Sequence, residues 1–298
     1  MSSIATTTTP PPTTPPPPKA RSNALWAALS RNRLSWIGIA LLLIIVLAAV
    51  FAPWLAPHDP LKQHIIYRLE PPSAEFWLGT DSYGRDVLSR IIYGARISLL
   101  VGFVAILIAM TIGTTLGVLA GYIGGLFDRL VMGLVDVLLS FPTLVLGLMV
   151  AAMLGASLEN LIIAIAITEI APFVRVARAP TIALKQRDFV EAGRALGYGP
   201  GRIMGIHILP NMISDVVVLG SLWMASAIRT EASLSFIGLG VPPPTATWGS
   251  MIREGFEHIL DAWWLTVFPS LAILLTVLAL NLLGDALRDA IDPKLRSE

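Results

Sequence analysis

The chain has 298 residues, of which 55% are hydrophobic and 14% charged, and its formal net charge is +1. That apolar excess excludes an ordinary water-soluble domain, and a charge this close to zero offers no footprint for nucleic acid. Cysteine is absent, which excludes disulfide frameworks, thiolate metal sites and thiol nucleophiles.

Residues 1–18 are Thr/Pro-rich and uncharged, a composition that cannot build a core. With the basic flank Lys19, Arg21, Arg31 and Arg33 they read as a disordered cytoplasmic tail over 1–33. The uncharged run 34–57 follows. It is too long for the apolar region of a cleaved leader, and prolines interrupt its exit, so it is expected to stay as a first membrane anchor.

Residues 58–96 form an outer loop carrying five basic and five acidic residues. Within it Val87, Leu88, Ile91, Ile92 and Ala95 recur at helical spacing opposite Arg85 and Arg90. This predicts a helix lying along the outer membrane surface before the chain turns inward.

A core of five more spans is expected over 97–284, since a crossing needs about 20 residues of helix. Uncharged runs at 97–127, 137–158 and 262–284 supply three of them. Two weaker candidates lie at 160–179, with Glu169, and 212–239, with Asp215, Arg229 and Glu231. The second span carries Gly113, Gly117 and Gly121, a groove for close helix packing, within this chain or against a neighbouring subunit. In the third, Ser140-Phe141-Pro142 predicts a proline kink, with Asp136 solvated near the surface or held in a structural pair.

Between the fourth and fifth spans, residues 180–210 are too polar to join either. Phe189, Val190, Ala192 and Leu196 predict the apolar face of a short helix, with no evident partner in the chain's own surface. Gly197 can end that helix in left-handed geometry, and Gly199-Pro200 can open another that runs to His207-Ile208-Leu209-Pro210. Along the fifth span Arg229 and Glu231 fall roughly 25 to 29 Å from Met212, near its outer end. Two residues apart on a helix, they are poor partners for each other, so each is expected to face water, a neighbour's charge or the permeation path. Glu231 is expected either to line the outward mouth of a pathway or to be a rim charge, solvated or paired with Arg253.

With the N-terminus inside, the basic segments 19–33, 175–202 and 288–296 all become cytoplasmic, and so does the tail 285–298. The balanced outer loop is the exception. Trp36, Trp54, Trp263 and Trp264 fall at span ends, where interfacial anchors belong. There is no Gly-Lys dipeptide and hence no phosphate loop, and the four histidines have no metal-ligand spacing. No catalytic residues and no cofactor are expected.

The stretch Glu191-Ala192-Gly193-Arg194-Ala195-Leu196-Gly197 resembles the EAA loop of ABC-importer permeases, with Gly193 at a position that is usually Ala. Three further runs resemble signatures of the second permease subunit of dipeptide/oligopeptide importers. They are Gly79 to Arg90, then Glu231 to Pro244 with Trp248-Gly249, and Gly284 to Leu295. The resemblance covers most of the chain from about residue 77 onward. It implies an all-α membrane protein with six transmembrane helices and a cytoplasmic coupling loop, the type I importer fold. It also implies half of a pore, in membrane lipid, completed by a second homologous permease. Two cytoplasmic ATPases and an extracytoplasmic solute-binding protein are the other expected partners. In that family the short helix docks on the ATPase. Phe189, Val190 and Leu196 then become apolar anchors, Glu191 a polar contact, and Gly197 and Pro210 the corners that pass motion on. Short peptides, nickel chelates, glutathione and related solutes stay open as cargo, as does an ion-coupled carrier of another class.

Overall fold

The computed structural model describes residues 33–291, which are helical apart from loops and one isolated bridge between Thr80 and Asp86. The expected tail up to residue 32 and the basic end 292–298 lie outside the described residues. In chain order the helices are α1 (Arg33–Val50), α2 (Val87–Ile123), α3 (Gly125–Ser140), α4 (Thr143–Leu154), α5 (Leu158–Leu184), α6 (Asp188–Ala195), α7 (Leu209–Ile237), α8 (Trp248–Phe256) and α9 (Trp264–Ile291).

The helices α2, α5, α9 and the run Pro200–Ile237 that contains α7 are each long and apolar enough to cross a membrane. Helices α3 and α4 meet at 96° and together make a further, broken span. The break is the expected proline kink: Phe141 is extended, as a residue before proline tends to be, and Pro142 caps α4. Leu34–Val50 is apolar but shorter. The six apolar runs are therefore all helical, with the first short and the third broken.

The expected surface helix before the second span does not exist as a separate element. Helix α2 runs unbroken for 37 residues, about 55 Å at the ordinary rise, well beyond the roughly 30 Å of a hydrocarbon core. Its first turns thus belong to the same helix as the span. The periodicity at Val87 and Ile91 is real, but it faces protein: Val87 packs with Met251, Ala262, Trp264 and Leu265.

Helix α5 lies along α2 in the most intimate contact of the bundle. Gly113, Gly117 and Gly121 form this seam. A Cβ on Gly113 would stand 2.5 Å from Phe173 Cβ, and one on Gly117 would stand 2.4 Å from the Val174 carbonyl oxygen. The stripe is thus an intrachain helix contact, one that any larger residue would push apart. Helix α7 packs on α2, α5 and α4, while α9 holds α1, α7 and α8.

Candidate functional site

Two polar constructions stand at opposite ends of the bundle. The first is an elbow built on α6. That helix stops because Gly197 takes φ +79°, a left-handed conformation that side chains with a Cβ resist. The Tyr198 N–H donates to the Gly193 carbonyl at 3.0 Å and the Gly197 N–H to that of Arg194 at 2.9 Å. Together these two bonds are a Schellman cap.

The cap brings the Tyr198 ring over the helix it ends. A Cβ on Gly193 would lie 3.3 Å from that ring, a tight contact. Tyr198 in turn stacks on His207, with ring planes 12° apart, and the Arg202 guanidinium sits 4.1 Å above it. Phe189 also approaches His207, at 6.4 Å between ring centroids. The chain then enters α7 through a π-helical segment, Ile203–Ile208, with Pro210 in the first turn of α7. Proline lacks the N–H that regular continuation would use at that point.

On α6, Leu196 is 72% exposed and Phe189 41%, and Glu191, Ala192 and Arg194 also face outward. Val190 does not. It is fully buried in this chain's own core, in the same cluster as Ile203 and Ile208. The expectation of an unpartnered apolar face is therefore corrected: α6 has two seams, one closed inward on Val190 and Gly193, the other open at Phe189 and Leu196. Lys185 ties the elbow to the bundle by donating to the carbonyls of Gly121 and Tyr122 at 3.0 and 3.4 Å. Arg178 and Asp128 form a two-pronged bridge between α5 and α3, at 2.5 and 2.6 Å. Tyr198, Arg202 and Lys185 were missed in the sequence, where they read as generic loop polarity.

The second construction locks the outer loop. Asp81 accepts from Arg85 Nε at 2.6 Å and from Arg90, while its other oxygen takes the backbone N–H groups of Tyr83 and Arg85. Both arginines continue to Glu254 of α8, at 3.1 and 3.2 Å. Two cations and two anions close a neutral ring in which only Glu254 keeps partial exposure. Burial pushes the carboxyls of Asp81 and Glu254 up, and Arg90 offsets this only in part. Asp86 caps α2 by accepting from the Ser89 N–H and hydroxyl, at 2.8 and 2.6 Å. Trp264 donates its indole N–H to the Thr80 carbonyl at 3.2 Å. It is buried and is no interfacial anchor, whereas Trp36, Trp54 and Trp263 are exposed. Arg85 and Arg90, two of the five basic residues in this loop, are thus neutralised inside protein. Glu254 was missed because nothing local links it to residues 81–90.

The two residues expected near a pathway part company. Arg229 is exposed, close to the buried Glu169, which also lies within reach of Ser226. Glu231 is fully buried. One of its carboxylate oxygens accepts from Ser235 Oγ at 2.8 Å, the other has no hydrogen-bond partner, and the hydroxyls of Ser98 and Thr247 stand beside it. Neither an outward mouth nor a rim pair with Arg253 describes it. Its carboxyl sits where α7, α2 and the start of α8 meet. No group of three or more metal-ligating side chains occurs among the described residues.

Residues 113–297 match the family model described as "binding-protein-dependent transport system inner membrane component". Residues 23–72 match "N-terminal TM domain of oligopeptide transport permease C". The chain is 43% identical over 278 residues to the di/tripeptide transport system permease protein DppC of Pseudomonas aeruginosa, covering 91% of this chain and 92% of that one. It is 45% identical over 277 residues to the dipeptide transport system permease protein DppC of Escherichia coli K12, with the same coverage. To the dipeptide transport system permease protein DppC of Alkalihalophilus pseudofirmus it is 41% identical over 269 residues, covering 90% and 88%.

Proposed function

Because the chain belongs to the inner-membrane permeases of binding-protein-dependent transport systems, of the oligopeptide C type, we propose that it forms half of a pore importing dipeptides or short oligopeptides. A second, homologous permease completes the pore, two ATPase subunits dock at the α6 end, and an extracytoplasmic binding protein delivers cargo at the opposite end. Both chain termini and α6 then face the cytoplasm. Peptide cargo is the reading favoured by relatives whose names specify dipeptides and tripeptides. Chelated nickel and glutathione, open on the sequence alone, are ranked below it.

The observation that carries this reading is the build of the elbow. Phe189 and Leu196 offer a small apolar patch, flanked by Glu191 and Arg194, on a helix too short to be stable alone. The inner seam of that helix, at Val190 and Gly193, is locked to α7 through Tyr198 and His207. A load applied to the outer seam therefore moves the start of α7 as a body. Energy reaches the pore only if its two states bind the open and closed ATPase pair with different affinity. Gly197 fixes the angle between the docking helix and the chain that enters the span.

The test is uptake of a labelled dipeptide into proteoliposomes holding this chain, its partner permease and both ATPases, with the binding protein added. ATP-dependent accumulation that disappears with Leu196→Asp supports the reading. Accumulation driven by an ion gradient without ATP would overturn it.

A further inference from the structure

The broken span has two differently built exposed faces. Leu126, Leu130, Leu134 and Val137 make an apolar one on α3. Arg129, Gly133, Asp136 and Ser140, spaced by four, three and four residues and all exposed, fall within about 60° of one another on the same helix. Across the gap to α5, Arg175 Nη2 donates to Asp136 Oδ1 at 2.7 Å. Although paired, these two side chains keep 54% and 63% of their surface open.

Their depth makes this unusual. Asp136 is eleven residues into α3 and Arg175 nine residues from the end of α5. Arg175 is thus about 13 Å along α5 from its α6 end, within a helix long and apolar enough to cross a membrane, and Asp136 is held against it. Charged groups at that depth are not left facing lipid tails. A dry protein interface fits poorly too. Among the described residues the single bridge leaves one Asp136 oxygen and most guanidinium N–H groups with no partner, and a further exposed cation, Arg129, lies two turns along the same face of α3. Water in a channel supplies all of those bonds. The Leu126–Val137 face is the one suited to lipid or to an apolar neighbour.

We propose that this polar stripe lines the inner half of the translocation path, and that Asp136 and Arg175 form a contact site there for a zwitterionic solute. The carboxylate of Asp136 receives the ammonium end and the guanidinium of Arg175 receives the carboxylate end. The two side chains close on each other again when the solute leaves. This rests on the peptide-import reading given above. Asp128, eight residues before Asp136, and Arg178, three after Arg175, bind each other by two short bonds and are far less exposed, so they serve as a fixed strut rather than a site.

The native chain has no cysteine, so single-cysteine variants report cleanly. Gly133 has open space around its Cα and accepts a side chain. In the assembled transporter, in inside-out vesicles without nucleotide, Gly133→Cys should react with a charged, membrane-impermeant thiol reagent. Leu130→Cys should react at least about tenfold more slowly. A free dipeptide at high concentration should slow the Gly133→Cys reaction, and its N-acetylated amide should not. Asp136→Asn and Arg175→Gln should each lower uptake at least about tenfold while ATPase assembly is retained, and the exchange Asp136→Arg with Arg175→Asp should not restore it.

An unreactive Gly133→Cys would place the stripe against the partner subunit and overturn the proposal. So would ordinary uptake in either neutral variant, or full rescue by the exchanged pair, which would make the bridge purely structural. Failure of the peptide-import reading looks different: the unaltered complex accumulates no dipeptide at all, whatever the thiol reaction at Gly133→Cys.

Discussion

The outer clamp and the elbow are both signature-bearing polar segments, yet they are built in opposite ways. The clamp encloses four full charges, Asp81, Arg85, Arg90 and Glu254, and satisfies them with one another across a separation of more than 160 residues. The elbow encloses none. It turns on a left-handed glycine, a ring stack and one buried valine, and leaves its charged and bulky residues outside. A closed ring of buried charges has one good arrangement and punishes departure from it, since each ion is unaffordable without its partner. A short helix held by one apolar seam is cheap to shift. On the function proposed above, the outer loop is frame, whereas the elbow is the part that takes load from the ATPase.

Substitutions that separate stability from coupling put that contrast at risk. Arg90→Ala should be the most damaging to the fold, because it leaves the two acids Asp81 and Glu254 sharing Arg85 alone, at a cost of up to about 3–5 kcal/mol. Yield and melting temperature of the detergent-purified complex measure it, and a melting temperature like that of the unaltered protein would mean the clamp is not buried as described. Gly117→Val comes next. It drives a branched side chain into the Val174 carbonyl, and overpacking of this kind costs about 1–3 kcal/mol or more. The same melting curve reports it, and a milder loss with Gly117→Ala would confirm a steric cause.

Gly197→Ala should cost about 1–2 kcal/mol through backbone strain. Its larger effect should be on transport: ATP hydrolysis continues while uptake per ATP falls, as a ratio of the two rates in proteoliposomes would reveal. Leu196→Asp sits at the opposite end of the scale. An exposed substitution should move stability by no more than about 0.5 kcal/mol, yet ATPase capture by the purified permease pair should be lost. If Leu196→Asp melted the protein as Arg90→Ala does, the distinction between frame and loaded part would collapse.

How much of this could be read beforehand depended on the range of the interactions. The left-handed turn at Gly197 and the proline break at Phe141–Pro142 follow from single-residue backbone preferences, and both are present where expected. The glycine stripe of α2 likewise announces a close helix neighbour, although the spacing alone does not say which helix fills it. Val190 shows the limit: its place in the apolar pattern of α6 is the same whether it faces a partner or its own bundle. Only the packing of α6 on Ile203 and Ile208 decides that it faces inward. Arg85 and Arg90 show it again, since a periodic pattern records that one side differs from the other, not which of them water touches.

The sequence by itself determined the class of molecule, the order of its apolar helices, the sharp corners and the family, because these rest on local hydrophobicity, backbone geometry and contiguous motifs. The tertiary structure alone decided that Glu231 is walled in among α7, α2 and the start of α8, that Glu254 closes the outer ring, and that Asp136 meets Arg175. The reason is physical. The state of a charge depends on everything within a few ångströms of it, and in this bundle those neighbours arrive from helices far apart along the chain.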